Sequence, residues 1–374
     1  MFKIPLFKIY WDEDDIKAVE NVIRSGMYWS SGKLIEEFEK KIAEYLGVKY
    51  CVTFNSGGSA LFALMLAYKF KPGDEIIVPS FTFIATAYAP LYVGAKPVFA
   101  DIEEKTYGLD PENVNERITP KTKAIIPIHY GGMPCKIAEL KEIAEDNKLI
   151  LIEDAAESFG ARFKGKCVGT YGDSAIFSFC HNKVFTTGEG GCVVTNNREV
   201  YKRLLLIREY GRVVRGNYFV NPQNLDYIEV GYNLRMSTIL AALGIAQINK
   251  VNKVIEMRRE RATYYTKKLS KIKEIVPFKP PSKDYFAVYQ MYTIRVLNNL
   301  RDNLAKFLES KGIITRIYFD PVHKYSIFKK LGYGNVPLPI TERISREVLT
   351  LPIYPHMSEN EQKYITNAIT EYLR

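Results

Sequence analysis

Cysteine and histidine are both scarce in this chain. The five cysteines, Cys51, Cys135, Cys167, Cys180 and Cys192, are odd in number and contain no Cys-x-x-Cys pair. That pattern excludes a disulfide framework and fits reduced thiols in a cytoplasm. The four histidines (His129, His181, His323 and His356) are well separated, so no metal-ligand spacing appears and no metal is expected. There is no internal repeat, low-complexity tract or flexible linker. The amino terminus lacks a basic head followed by an apolar run, so no signal peptide is read and a cytoplasmic protein is expected. The one long uncharged stretch, from Ile76 to Ala95, carries Pro79, Pro90 and Gly94. A buried strand, a turn and a packed helix explain it better than a membrane span.

A single-signed surface is missing as well. The net charge is +10, but Lys and Arg are interleaved with Asp and Glu, as in Arg258-Arg259-Glu260-Arg261. A concentrated basic face is the electrostatic footprint of nucleic-acid binding, and without one no such partner is expected. A modest positive field suits a phosphate-bearing cofactor or a nucleotide diphosphate equally well. With 47% hydrophobic residues among 374, the chain can bury a large core without disulfide or metal support.

What is present is alternation. Strand-length apolar runs fall at Cys51–Phe54, Glu75–Pro79, Ala124–Ile128, Leu149–Glu153, Ala175–Phe179 and Gly191–Thr195, separated by amphipathic segments such as Ile35–Leu46 and Ile137–Asn147. This order predicts an α/β fold with a mostly parallel, buried central sheet. Residues Ser237–Leu269 read as one long helix, Tyr289–Val296 and Ile313–Tyr318 as strands, and Glu359–Tyr372 as a C-terminal helix. The change of character predicts a large domain over 1–250, including the N-terminal segment, and a smaller C-terminal α/β domain over 251–374.

Three segments carry chemistry. Lys183 follows an apolar strand and precedes Thr186-Thr187-Gly188-Glu189-Gly190-Gly191. A lysine in a closed site can serve as an amine nucleophile, though a surface hairpin could also place one there. Leu149–Glu153 runs into Asp154, Ala155, Ala156 and Glu157. An aspartate at the carboxyl end of a strand lies where α/β sheets gather ligands, and could keep a pyridine nitrogen protonated; it could also be a helix cap. Asn55-Ser56-Gly57-Gly58-Ser59 leads from a strand into an apolar helix, where free N–H groups and the dipole favour a phosphate. A plain capped turn would read alike, and neither the P-loop nor the dinucleotide glycine spacing is present. Together the three supply the parts of a pyridoxal 5'-phosphate site. The aromatic and hydroxyl run Pro79–Thr86 could add a ring, or simply pack.

On these motifs, joined by Gly73-Asp74-Glu75-Ile76-Ile77-Val78-Pro79-Ser80, Ser178-Phe179 and Gly231-Tyr232-Asn233-Leu234-Arg235-Met236, the chain resembles the DegT/DnrJ/EryC1/StrS family of sugar aminotransferases over nearly its whole length. Within the family it looks most like the GDP-perosamine synthase branch, which aminates GDP-4-keto-6-deoxymannose. The resemblance implies the type I fold of pyridoxal phosphate aminotransferases. It also implies transfer of an amino group, with glutamate as donor, to a nucleotide-linked 4-keto-6-deoxy sugar, by a homodimer with shared active sites.

The resemblance further implies roles for particular residues. Lys183 matches the lysine that holds the cofactor, Asp154 the partner of the pyridine nitrogen, and Phe83 the stacking aromatic. Gly57, Gly58 and Ser178 fall at the phosphate, and Asn233 matches a residue reaching the phosphate from the partner subunit. Glu157 stands near the phenolic oxygen where many members have Gln, and Gly58 where many have Thr. For the substrate, His323 matches a conspicuous family position, although a satisfied loop histidine reads the same way. Arg316 and Arg212 could meet a diphosphate or carboxylate, with a surface ion pair favoured for Arg212. Some relatives carry His at the lysine position and act as 3-dehydratases, so Lys183 favours amination over dehydration. The alternatives are 3-amination, or a non-enzymatic binding or regulatory protein that kept the fold.

Overall fold

The computed structural model describes residues 4–213 and 226–373. Among these, the central sheet has seven strands: β1 (Tyr50–Phe54), β2 (Glu75–Pro79), β3 (Lys96–Ala100), β4 (Thr122–Ile125), β5 (Ile150–Asp154), β6 (Ser174–Ser178) and β7 (Gly191–Thr195). Their spatial order is β1-β7-β6-β5-β4-β2-β3. The pairings β2–β3, β2–β4, β4–β5 and β5–β6 are parallel, whereas β7 runs antiparallel to both its neighbours. The parallel strands are buried on both faces, which explains their continuous apolar runs. Apolar clusters lie on each side, one around Val52, Leu64, Ile152 and Phe328 and another around Phe38, Phe177, Phe179 and Val254.

Helix α1 (Gly57–Ala67) starts directly after β1, capped by the Ser56 hydroxyl on the Ser59 amide at 3.0 Å. Helix α2 (Ile84–Tyr92) follows β2. The segment Ile76–Ala95 is thus a strand, a turn and a helix, as expected, and among the described residues no helix is long and apolar enough to cross a membrane.

After the sheet come α3 (Thr238–Ile248) and α4 (Val251–Leu269), then the antiparallel strands β8 (Ile275–Pro277), β9 (Tyr292–Val296) and β10 (Val348–Leu351), and finally α5 (Glu359–Tyr372). The helix expected over Ser237–Leu269 is therefore two. It breaks at Asn249–Lys250, where Lys250 leaves helical geometry and its ammonium pairs with Asp12 and with Asp15, the latter at 3.0 Å.

Other expected boundaries shift for identifiable reasons. The strand expected over Ile313–Tyr318 is reduced to isolated bridges, Ile313 to Ile4 and Arg316 to Thr350. The one expected from Tyr289 begins at Tyr292, because Tyr289 has φ +51°. Edge strand β3 carries a weak sequence signal: it has a neighbour on one side only, holds Pro97 and has exposed Lys96 at its start. The N-terminal segment lies against the later third of the chain, since Ile4 bridges Ile313 and the Leu6 carbonyl accepts from the Ile353 amide at 3.0 Å.

Candidate active site

The carboxyl ends of β5 and β6 and the amino ends of α1 and α2 converge. Side chains alternate along a strand, so adjacent Glu153 and Asp154 at the end of β5 face opposite ways. Glu153 is wholly buried. Its Oε1 accepts from the Tyr171 and Gly172 amides at 2.7 and 2.8 Å, and its Oε2 from the Gly169 amide at 2.7 Å and His129 Nε2 at 2.9 Å. His129 Nδ1 accepts from the Cys135 amide at 3.1 Å, which assigns the ring proton to Nε2. Burial alone would raise the Glu153 pKa, but the His129 hydrogen bond and the Gly172 and Gly169 amides bring its carboxyl below the ordinary glutamate value.

Asp154 faces the other way. Its Oδ2 accepts from the Thr86 hydroxyl at 2.7 Å and its Oδ1 from the Ala156 amide at 3.2 Å. Burial raises its pKa, opposed by the Thr86 bond, the Ala156 amide and the charge of Lys183. Thr82 and Thr86 share a hydroxyl contact at 2.8 Å, so the first turn of α2 is the wall that orients Asp154. Phe83 is the N-cap of α2, three residues before Thr86 and on the same side of the helix, and the residue is 63% exposed. A large aromatic left uncovered beside a buried carboxylate is free to stack on a planar ligand.

Lys183 sits in the loop between β6 and β7, its amide bonded to the Cys180 carbonyl at 3.0 Å. Its Nζ lies 3.7 Å from Glu157 Oε1, and both side chains are largely buried. Glu157 Oε2 accepts from the Gly131 amide at 2.8 Å. Burial raises the Glu157 pKa, and the Lys183 charge and the Gly131 amide oppose it. Glu157 is thus the counter-ion of Lys183, an interaction that spacing alone does not reveal.

The cup at the start of α1 is shaped by contact. A Cβ on Gly57 would lie 3.0 Å from Ser178 Cβ, and one on Gly191 would lie 2.5 Å from the Gly57 nitrogen. Only glycine lets β1, β7 and the end of β6 close so tightly. Gly58 is open by contrast, its nearest neighbour being Ser56 Oγ at 3.8 Å from an added Cβ. Asn233 is exposed, and the next residue, Leu234, accepts the Asn55 amide on its carbonyl at 2.9 Å. The Gly231–Met236 segment is thereby tied to the same cup.

The three residues expected to meet the substrate differ in their settings. His323 is fully buried, with Nδ1 2.6 Å from Ser80 Oγ and Nε2 3.4 Å from Glu342 Oε1, and burial pushes the imidazole below its ordinary pKa. It fastens the end of β2 from inside and presents no face to a substrate, which corrects the expectation that it reaches one. Arg316 is exposed, and its backbone pairs with Thr350 at 3.2 and 2.7 Å. Arg212 Nη2 is 2.8 Å from Glu209 Oε2, the ion pair favoured for it.

A lysine, a buried aspartate and a glycine cup at the strand ends of a mostly parallel sheet define the type I fold of pyridoxal phosphate aminotransferases. The parts present fit that cofactor: Asp154 is pre-bonded on one side, Phe83 is uncovered, and the cup is one that a Cβ at Gly57 or Gly191 would fill. The chain belongs to the DegT/DnrJ/EryC1/StrS aminotransferase family, whose profile matches residues 10–370. It is 36% identical over 370 residues to a GDP-perosamine synthase of Escherichia coli O157:H7, covering 99% of this chain and 98% of that one. It is 32% identical over 372 residues to a UDP-N-acetyl-3-dehydro-alpha-D-glucosamine 3-aminotransferase of Acidithiobacillus ferrooxidans, covering 96% and 97%. Among solved structures, the Helicobacter pylori aminotransferase PseC, of pseudaminic acid biosynthesis, superposes with a TM-score of 0.93 at 27% identity over 99% of both chains. The protein is a pyridoxal phosphate-dependent sugar aminotransferase.

Proposed function

We propose that this enzyme moves the amino group of glutamate to C4 of a GDP-linked 4-keto-6-deoxy sugar, in the cytoplasm, as a homodimer. The observation that carries the chemistry is Lys183 Nζ at the end of β6, held 3.7 Å from Glu157 in the cleft that Asp154 closes. The preference for a GDP-linked sugar rests on the likeness to the perosamine synthase.

Lys183, Asp154, Phe83, Gly57, Gly58 and Ser178 hold the cofactor, which when bound supplies an electron sink for the pair released at the donor's α-carbon. Lys183 Nζ takes the α-proton from the donor and returns one to the product, a transfer that contributes about 10²–10⁴-fold to rate. Asp154, as a carboxylate, keeps a proton on the ring nitrogen, because its negative charge is buried away from water and oriented by the Thr86 hydroxyl. Glu157 Oε1 localises the Lys183 ammonium between transfers. Asn233 reaches the cup of the second subunit. The exposed apolar side chains of Tyr227, Ile228, Val230 and Tyr232, grouped in sequence around this segment and joined through the Phe62 ring to exposed Tyr92, form the face that a second copy covers.

The test is a panel of GDP-, UDP- and dTDP-linked 3-keto and 4-keto sugars with glutamate, the new amine being located by NMR. Amination at C4 of the GDP sugar is expected. A product aminated only at C3, or only with UDP or dTDP, overturns the assignment. Lys183→Ala should lower turnover by at least about 10²-fold and abolish the visible absorbance of lysine-bound cofactor. Sedimentation velocity should give twice 42.9 kDa.

A further inference from the structure

The loop that carries Lys183 holds a second constellation that the transamination chemistry does not use. Cys180 Sγ lies 3.3 Å from His181 Nδ1 and 3.7 Å from Glu189 Oε1, and the three ligand atoms all fall within 4.8 Å of one another. We propose that Cys180, His181 and Glu189 bind a thiophilic divalent cation, zinc by ligand type, which fastens the two ends of the Lys183 loop together.

Geometry supports a tetrahedral ion. With Zn–S of about 2.3 Å and Zn–N or Zn–O of about 2.0–2.2 Å, tetrahedral ligand atoms stand about 3.5 Å apart. The two Sγ separations already bracket that value, so an ion enters with shifts of a few tenths of an ångström at those two edges. Three protein ligands leave the fourth position to water. Thiolate, neutral imidazole and carboxylate also balance a divalent charge, and binding releases the Cys180 proton to solvent.

The fold brings these residues together for reasons of its own. Cys180 and Gly188 form an isolated bridge, the Phe179 amide donates to the Gly190 carbonyl at 2.9 Å, and the Thr187 amide to the Phe179 carbonyl at 3.0 Å. Glu189 is therefore delivered beside Cys180 although nine positions separate them. The Phe7 ring lies 5.2 Å from the His181 ring and limits its rotation. Cys180 is also the only cysteine among the described residues that is not buried, and His181 and Glu189 are exposed, so an ion has a path in from solvent.

The experiment uses the full-length protein, stripped with chelator under reducing conditions and titrated with Co²⁺, then with Zn²⁺ in competition. One cobalt per chain with a thiolate-to-metal charge-transfer band, displaced by zinc, is expected. Cys180→Ser should abolish the band, and the surface change Glu189→Gln should weaken binding at least tenfold while keeping it. Zinc should also slow amide hydrogen exchange across 180–190. Thermal melts of the metal-free variants confirm that they fold. Absence of a thiolate band, binding by Cys180→Ser equal to wild type, or protection elsewhere with 180–190 unchanged would each overturn the proposal.

Discussion

Replacing Glu153 by Gln is the most demanding test of how this site is built. The change keeps size and shape but turns one carboxylate oxygen into an NH₂ group. Each oxygen accepts two hydrogen bonds: Tyr171 and Gly172 amides on Oε1, Gly169 amide and His129 Nε2 on Oε2. Whichever oxygen is lost, two buried donors then face a donor. The histidine cannot escape by changing tautomer, because its Nδ1 would then present a proton to the Cys135 amide. Leaving a buried donor unsatisfied costs about 1–3 kcal/mol, so two give about 2–6 kcal/mol, against a total stability of about 5–15 kcal/mol. Urea denaturation of wild type and Glu153→Gln at pH 7 should show that loss, and a difference under about 1 kcal/mol would refute the reasoning. The pH dependence supplies a second check. Because the folded carboxyl titrates below the ordinary value, its contribution is fully present above the unfolded glutamate pKa of about 4.3. It is lost as pH falls through the lower folded value. The gap between the two proteins should therefore close only in acid, below about pH 4.3; a gap that narrows near neutrality would contradict the assignment.

Thr86→Val removes the 2.7 Å bond to Asp154. A hydrogen bond to a charged group contributes about 1.5–3 kcal/mol, so cofactor should be retained about 10- to 100-fold more weakly by equilibrium dialysis, with the fold intact by circular dichroism. Gly57→Ala places a Cβ 3.0 Å from Ser178 Cβ, and overpacking of that kind costs about 1–3 kcal/mol, read as a lower melting temperature and loss of bound cofactor. Gly58→Thr meets nothing nearer than 3.8 Å at Cβ. It should change stability by no more than about 0.5 kcal/mol and tighten cofactor binding by adding a hydroxyl to the cup.

The parts of this protein that were legible in its sequence are those where burial on both faces imposes an unbroken apolar run. Strands β2 and β7 begin and end where the runs do, because turn residues bound them: Gly73-Asp74 before one and Gly190 before the other. Edge strand β3 has one neighbour and a proline, so its signal fell below that of a loop. Ile313–Tyr318 fails in the opposite sense. Its apolar residues are real, but Ile4 and Thr350 each meet it at a single bridge, too little pairing to make a strand.

The site divides the same way. Lys183, Asp154 and the glycine cup announce themselves because their chemistry depends on residue type placed at a strand end. What holds them does not. Period-two alternation already implied that Glu153 and Asp154 face opposite sides of β5, yet it could not say that one side meets the 169–172 loop and the other Thr86. His323 is the sharper lesson. A histidine in a Pro-Val-His loop reads equally as a ligand for substrate or as an internal fastening, and only its contact with Ser80, 243 positions away, decides for the fastening. Cys180, His181 and Glu189 invert that case. No spacing rule joins two adjacent residues to a third nine positions on, so the histidines and cysteines read as metal-free. The bridge from Cys180 to Gly188 turns that spacing into contact. A loop closed to place a lysine has thereby also gathered three ligand atoms, and its geometry serves two chemistries at once.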